Sequence, residues 1–171
     1  RKKAVEPLIS TLRDNDARVR ALAAWTLGEI DELRAVFELI YYLKDDSPLV
    51  RHNAAEAIGK TSGTLWFRDD AAGPLIEALK DDDASVRLAA ALALRRIRIG
   101  GFPDLSKHAF GPLNDALDEA ITGKKEFIQA LGEIGDERAI EPLIAMLDDG
   151  DPIARWEAAS SLQSISYDTP N

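Results

Sequence analysis

The sequence lacks several of the residue types on which catalytic and metal sites are commonly built. It has no cysteine, one methionine and two histidines, His52 and His108, among 171 residues. Disulfides and thiolate metal ligands are therefore excluded for this sequence. The two histidines lie far apart, and neither has a second histidine four residues later. The sequence accordingly predicts no metal site.

The sequence also has fewer basic than acidic residues. The chain carries 21 Lys and Arg against 30 Asp and Glu, which gives a formal net charge of −9. Nucleic acids and anionic membranes usually bind to basic surfaces, so neither is predicted as a partner. No apolar run approaches the roughly 18 residues that a membrane-spanning helix needs. We expect a cytoplasmic protein.

Catalytic motifs are absent as well. The sequence contains no G-x-S-x-G, no glycine-rich phosphate loop and no cysteine–histidine pair. These absences predict a protein that is not an enzyme, with no catalytic residue and no cofactor.

The chain does contain a repeated sequence motif. AVEPLISTLRDNDARVRALAAWTLGEI begins at Ala4, and related segments begin at Ala35, Ala71 and Ala139, with a shortened copy around 111–134. Repeats of about 20–50 residues indicate a stacked array. The predicted repeats are 4–30, 35–61, 71–97, 109–134 and 139–165.

Each repeat predicts two helices. In the first half, apolar residues recur at helical spacing, as in Leu8, Ile9 and Leu12. Prolines near its start are tolerated in a first helical turn: Pro7, Pro74, Pro112 and Pro142.

The second helix has its own start and end signals. It begins at residues whose side chains can cap free amides: Asp16, Ser47, Asp83 and Asp151. Three glycines are predicted to end it: Gly28, Gly59 and Gly132. The fourth repeat is one residue short, so its second helix is expected to be displaced or to start late.

The pattern P-L-I-x-x-L followed by D-x-x-V-R-x-x-A-A-x-A-L-G resembles HEAT repeats. It is similar in particular to the short HEAT-like repeats first described in phycobilin lyases, from Ala4 to Ile165. The resemblance implies an all-α fold, a right-handed α-α superhelix of about five helical hairpins. We expect residues 1–171 to form one array trimmed from a longer chain, because the sequence opens without methionine inside the first helix.

The resemblance also implies a ladder between adjacent repeats. Its members would be the aspartates and arginines of the second segment: Asp16, Arg20, Arg51, Asp83, Arg87, Asp151 and Arg155. HEAT-like arrays include the di-iron deoxyhypusine hydroxylases, whose ligands come from His-Glu pairs. Here His52 precedes Asn53 and His108 precedes Ala109, so that activity is excluded.

Positions that vary between repeats but share one face of the second helix predict a binding surface. In HEAT-type stacks the second helices line the concave side, where exposed tryptophan and leucine serve as protein-binding anchors. The predicted surface comprises Leu22, Trp25, Glu29, His52, Glu56, Leu88, Leu92, Arg96, Gln129, Glu133 and Trp156. An alternative for Trp25 and Trp156 is packing against a neighbouring helix or a missing repeat.

The main functional prediction is a non-catalytic scaffold or regulatory adaptor that binds a protein or peptide on this surface. A basic segment is one candidate partner, because acidic residues recur at the turns between helices. Two alternatives stay open. One is an enzyme subunit resembling phycobilin lyases, in which Trp25, His52 and Arg96 hold a tetrapyrrole. The other is a structural module that self-associates through uncapped ends.

Overall fold

The computed structural model describes residues 2–61, 68–97, 99 and 102–168. These residues contain ten α-helices and no strand, so the prediction of an all-α fold is confirmed. The helices are α1 (Val5–Thr11), α2 (Ala17–Ile30), α3 (Leu33–Tyr42), α4 (Pro48–Thr61), α5 (Arg68–Ala78), α6 (Ala84–Arg96), α7 (Pro103–Asp118), α8 (Lys124–Ile134), α9 (Ile140–Met146) and α10 (Pro152–Asp168). Short 3₁₀ turns, Lys2–Ala4 and Glu137–Ala139, precede α1 and α9.

The helices pack into two compact units, Arg1–Ile97 and Arg98–Asn171. In the first unit α2, α4 and α6 lie side by side, and α1, α3 and α5 pack against them. In the second unit α10 packs against α8 and α9, and α7 packs against α8. Leucine, isoleucine and alanine fill both cores, with valine added in the first unit and Phe127 in the second. Among the described helices, none combines the length and apolarity that a membrane crossing needs.

Two glycines set the distance between neighbouring second helices of the first unit. A Cβ atom added to Gly28 would lie 2.7 Å from the Cα atom of Ala57, and one added to Gly59 would lie 2.7 Å from the Cα atom of Ala93. Real Cβ atoms do not approach backbone so closely, so only glycine fits at this helix spacing. The same contact recurs in the second unit, where Gly132 faces Ser161.

This packing role corrects the prediction for the three glycines. They do not end their helices, because α2, α4 and α8 each continue past the glycine. Left-handed residues instead end two of these helices, Asp31 after α2 with φ 56° and Gly135 after α8 with φ 64°.

The prolines of the first helices also differ in part from the prediction. Pro7 and Pro142 lie in the first turns of α1 and α9. Pro74 and Pro112 lie inside α5 and α7, because both helices begin well before the repeat consensus. The late start of the fourth second helix is confirmed, since α8 begins at Lys124 after Gly123.

Aspartate caps begin three of the second helices, α2, α6 and α10. The Asp16 and Asp83 side chains each accept the backbone N–H two residues on at 2.8 Å, and Asp151 does so at 2.9 Å. These bonds satisfy amides that have no partner within the helix. Hydrogen bonds from the Arg18 side chain and backbone lower the pKa of Asp16 to about 2.

Two arginines of the first unit each bridge consecutive hairpins. The Arg20 fork donates Nε–H and Nη2–H to the two carboxylate oxygens of Asp45, both at 2.8 Å, and Nη1–H to the Asp14 carbonyl at 2.9 Å. Arg51 makes the same pattern with the Asp81 carboxylate at 2.7 and 2.8 Å and the Asp45 carbonyl at 2.8 Å. Each guanidinium thereby ties the turn of its own hairpin to the turn of the next.

The carboxylates in this ladder are not the N-cap aspartates that the resemblance implied. Asp45 and Asp81 stand two residues before the N-cap positions, whereas Asp83 directs its own carboxylate to first-turn amides. In the second unit Lys124 takes the arginine's place, and its Nζ atom lies 2.7 Å from Asp149 Oδ2. The sequence pattern missed this pair because the fourth repeat lacks the arginine motif.

The remaining two ladder arginines donate hydrogen bonds to carbonyls of the turn that precedes their own helix. Arg87 Nη1–H donates to the Asp81 carbonyl at 2.8 Å, and Arg155 Nη1–H donates to the Asp149 carbonyl at 2.7 Å. The four arginines therefore share one local role, which is to close the turn that precedes their helix.

Two of these bridges, those of Asp45 and Asp149, lower the pKa of their carboxyl group. Burial alone would raise the pKa of Asp45, but hydrogen bonds from Arg20 and from the Ser47 backbone outweigh it and lower the pKa. A hydrogen bond from Lys124 is the main reason that the pKa of Asp149 is lowered. A depressed folded-state pKa means that the ionised carboxylate stabilises the folded chain.

We predict that Gly59→Ala will lower the free energy of unfolding by about 1–3 kcal/mol, because the added methyl group forces α4 away from α6. Urea denaturation measures the change. Gly73→Ala is the matched control, since an added Cβ there meets no atom within 4 Å inside α5. The control should be stabilised by roughly 0.5–1 kcal/mol, because alanine favours helix. Equal effects would contradict the packing role of Gly59.

We predict that Arg20→Ala will cost roughly 1.5–3 kcal/mol near neutral pH, the usual range for hydrogen bonds to charged groups. The folded-state pKa of Asp45 lies below its ordinary value of 3.8. The stabilisation from the Arg20–Asp45 bridge is therefore full above the ordinary pKa of 3.8. It is lost as the pH falls through the folded-state pKa of Asp45.

The difference between the urea midpoints of wild type and Arg20→Ala should accordingly narrow as the pH is lowered from about 5 toward 2. Arg34→Ala is the control, because its ion pair with Glu6 is exposed on both sides and contributes about 0–1 kcal/mol. A difference that stays constant with pH would contradict the role assigned to the Asp45 carboxylate.

Candidate functional site

The predicted surface residues of the first unit lie on an open face formed by α2, α4 and α6. Leu22 and Trp25 on α2 are 61% and 42% exposed. Leu88 and Leu92 on α6 are half-buried, and Arg96 at the end of that helix is exposed. The face therefore combines apolar side chains that remain open to solvent with a terminal cation. Trp25 is not sealed between helices.

A lysine that the predicted set omits connects α2 with α4 on this face. Lys60 Nζ lies 2.5 Å from Glu29 Oε1 and 3.0 Å from Glu56 Oε1. The same ammonium group lies 5.7 Å from the centre of the Trp25 ring, within reach of a cation–π interaction. The Glu29 hydrogen bond, opposed by burial and reinforced by Glu56, raises the pKa of Lys60. Lys60 is thus a charged junction whose charge is already balanced by two carboxylates.

The side chain of His52 connects α4 with the start of α6. Its Nδ1 atom lies 2.9 Å from the Ser85 carbonyl oxygen. A carbonyl can only accept, so Nδ1 carries the hydrogen and Nε2 is the acceptor when the ring is neutral. Nε2 lies 3.9 Å from Glu56 Oε2. His52 therefore orders the middle of the face and presents one ring nitrogen to it.

Arg96 lies beside the charged junction. Its stem passes over α4, and a Cβ atom on Gly59 would lie 3.5 Å from Arg96 Cδ. Gly59 directly precedes Lys60, so both cations lie near the C-terminal end of α4. Within the described residues, no hydrogen bond or ion pair of Arg96 is found. Arg96 is therefore the cation on this face that is available to an anionic ligand.

The structure divides the predicted surface between the two compact units. Gln129 and Glu133 lie on α8 of the second unit, where Gln129 is half-buried and Glu133 is exposed. Trp156 on α10 is 67% exposed. On the same unit Lys125 Nζ lies 3.8 Å from Glu157 Oε1. The other eight predicted residues form the face of the first unit.

Sequence comparison identifies the repeat type. The family of HEAT repeats matches residues 5–95, 38–119 and 112–170. Phycocyanobilin lyase subunit alpha of Nostoc sp. (strain PCC 7120 / SAG 25.82 / UTEX 2576) is 33% identical over 91% of this chain and 59% of its own length. Deoxyhypusine hydroxylase of Candida glabrata is 28% identical over 97% of this chain and 49% of its own length.

A solved structure is also similar to this chain. A chain in the complex of CpcE and CpcF of phycocyanin lyase from Nostoc sp. PCC7120 is 27% identical to this chain, with a TM-score of 0.79. The match covers 96% of this chain and 65% of that chain. This chain therefore spans about half to two thirds of the length of these relatives.

These relatives correct two predictions from the sequence. A non-catalytic scaffold or adaptor was the main prediction, and the absence of catalytic motifs predicted no enzymatic activity. Both are wrong, because relatives matched over almost the whole chain are named as subunits of a lyase. The absence of known motifs misled the prediction, since a subunit can act on a substrate without any of those motifs.

The similarity to the hydroxylase does not include metal ligands. The sequence has no His-Glu pair. Among the residues that the structure describes, no group of three or more His, Cys, Asp or Glu side chains could hold a metal ion. What this chain shares with both kinds of relative is sequence similarity over nearly all of its own length. By its family match and its hairpins, the chain belongs to the HEAT-repeat family.

Proposed function

We propose that this chain belongs to a bilin-lyase-type enzyme, as a subunit that handles a linear tetrapyrrole on a second protein. The observation that carries the proposal is 33% identity over 91% of the chain to a phycocyanobilin lyase subunit. The relative is longer, and the chain spans 59% of it. The proposal therefore concerns the part of such a subunit that α1–α10 represent.

The face on α2, α4 and α6 suits a ligand of this chemistry. A linear tetrapyrrole has a long conjugated body with little charge and carries two propionate carboxylates. Trp25, Leu88 and Leu92 offer apolar contact area, and the flat indole ring can stack on the conjugated body. Exposed aromatic and aliphatic side chains in one patch commonly mark a binding site.

The charges on this face assign different roles to its two cations. Glu29 and Glu56 already neutralise Lys60. Arg96 makes no ion pair within the described residues, and its planar fork matches a carboxylate. We therefore assign Arg96 to a propionate of the ligand. Lys60 holds Trp25 and the two glutamates in place, and His52 offers its Nε2 atom as a hydrogen-bond acceptor to a pyrrole N–H.

The second protein would dock beside this face. The acidic turns between helices suit a basic segment of that protein. Gln129, Glu133 and Trp156 form a separate candidate contact on the second unit. A cytoplasmic location and a single array over 1–171 remain predictions from the sequence. Capture of a defined acceptor protein with a basic segment, lost on neutralising the turn aspartates, would support this part of the proposal.

We predict that free phycocyanobilin, titrated with the protein, will show an absorbance change on binding. Arg96→Ala should weaken binding by roughly 10–100-fold, because a charge-assisted hydrogen bond contributes about 1.5–3 kcal/mol. Trp25→Ala should weaken binding similarly through loss of stacking. Tyr41→Ala is the matched control, because Tyr41 is 77% exposed on a first helix and lies outside the face. An unchanged spectrum at saturating protein would refute the proposed function.

We predict that Lys60→Met will also weaken bilin binding, although Lys60 is not assigned to the ligand. The substitution leaves Glu29 and Glu56 without their shared cation and gives the face excess negative charge. Combining Lys60→Met with Glu29→Gln and Glu56→Gln should restore most of the affinity in the same titration. If the triple variant stays as weak as Lys60→Met, Lys60 contacts the ligand directly and the assignment of the two cations is wrong.

A further inference from the structure

We propose that Glu157 binds a lysine or arginine side chain of a partner protein where α10 packs on α8. The second unit would then carry a docking site for a basic segment, with Glu157 as its anchor. This assignment rests on the proposed function only for the existence of a second protein. It uses no residue of the face on α2, α4 and α6, so a titration with bilin and a titration with a basic peptide can fail separately.

Negative charge is concentrated in the second unit. Residues 98–171 carry 14 Asp and Glu against six Lys and Arg, which gives a formal net charge of −8. Residues 1–97 carry 16 against 15, a net charge of −1. A surface with charge of one sign attracts a partner of the opposite sign and speeds its association. Of the two units, the second is therefore the one suited to a basic partner.

Glu157 is a buried carboxylate whose oxygens accept no hydrogen bond from the residues that the structure describes. The residue is 5% exposed. Its one ion pair in that part of the chain is with Lys125, whose Nζ atom lies 3.8 Å from Glu157 Oε1. That distance is too long for a hydrogen bond, whereas Lys124 reaches Asp149 at 2.7 Å on the same unit. A buried carboxylate without hydrogen bonds is costly, and such groups mark candidate binding sites.

Packing alone does not call for a glutamate at this position of the second helix. The same position carries Leu22 in α2, Asn53 in α4 and Ala89 in α6. Asn53 donates Nδ2–H to the carbonyl oxygen of Ala21 on the preceding second helix at 2.9 Å, and Ala89 is buried. An ionised glutamate has no hydrogen to donate to such a carbonyl. Glu157 therefore makes a poorer packing residue than asparagine or alanine, which favours a role in binding.

The preceding second helix, and not the following one, covers this position. Leu22 is 61% exposed although α4 follows α2 and packs beside it. Ala89 and Glu157 each have a preceding second helix in contact, α4 and α8, and are 3% and 5% exposed. The surroundings of Glu157 are therefore set by α8. A helix packed on the other side of α10 would leave Glu157 as accessible as α4 leaves Leu22.

Lys125 is the cation that a partner's side chain would displace. The Lys125 side chain is 47% exposed and makes only the 3.8 Å contact, so it can turn into solvent at little cost. Gln129 lies one helical turn further along α8, is half-buried, and its side chain makes no hydrogen bond to a described residue. A lysine or arginine side chain would place its N–H groups on the Glu157 carboxylate, with the Gln129 amide oxygen as a further acceptor.

Fluorescence anisotropy of a labelled hexa-arginine peptide, titrated with the whole chain at low salt, tests the proposal. The peptide should bind, and a peptide with citrulline in place of arginine should not. Glu157→Gln should weaken binding by about tenfold or more, because a charge-assisted hydrogen bond is lost. Glu141→Gln is the matched control, since it removes the same charge from an exposed residue of α9. It should change the affinity by less than about twofold.

Two further measurements separate a binding site from a structural ion pair. Lys125→Gln removes the competing cation, so the arginine peptide should bind about two- to fivefold more tightly. The urea midpoint of Glu157→Gln should not fall, because glutamine can donate to a carbonyl of α8 as Asn53 does to Ala21. The proposal would be overturned by equal weakening in Glu157→Gln and Glu141→Gln, by no gain in Lys125→Gln, by a lower midpoint for Glu157→Gln, or by a wild-type chain that does not bind the arginine peptide.

Discussion

The close approach of consecutive second helices is the constraint on which the rest of this structure depends. Gly28 and Gly59 leave room for the backbone of the next helix, so α2, α4 and α6 pack at a spacing that no larger side chain permits. That spacing buries the alanines between the helices and leaves little space for polar groups. It also turns one stripe of each helix outward, and the candidate face is made of those stripes.

The arginine bridges hold the other edge of the same hairpins. In each bridge the arginine closes the turn of its own hairpin with an Nη1–H hydrogen bond. The same guanidinium binds the carboxylate of Asp45 or Asp81 in the next hairpin through two hydrogen bonds. The partly buried position of these pairs gives them more weight than exposed ion pairs such as Arg34–Glu6. Helix packing and turn bridges thus set hairpin spacing from opposite ends of the second helix.

The proposed function rests on the side chains that this packing leaves exposed among the described residues. On the first unit, Lys60 is satisfied by two glutamates, whereas Arg96 is open beside apolar side chains. Under the function proposed above, this cation beside apolar side chains would bind a carboxylate of the ligand.

The sequence by itself determined the repeats, the two helices in each, the caps at Asp16 and Asp83, and the late start of α8. These features are local, because helical periodicity and capping depend on residues within a few positions of one another. Tertiary structure decided which carboxylate meets each arginine, since Asp45 lies 25 residues from Arg20 and Asp81 lies 30 from Arg51. It also decided that the glycines serve packing and that Lys60 joins two helices. Such contacts link different hairpins, and no local pattern specifies their partners.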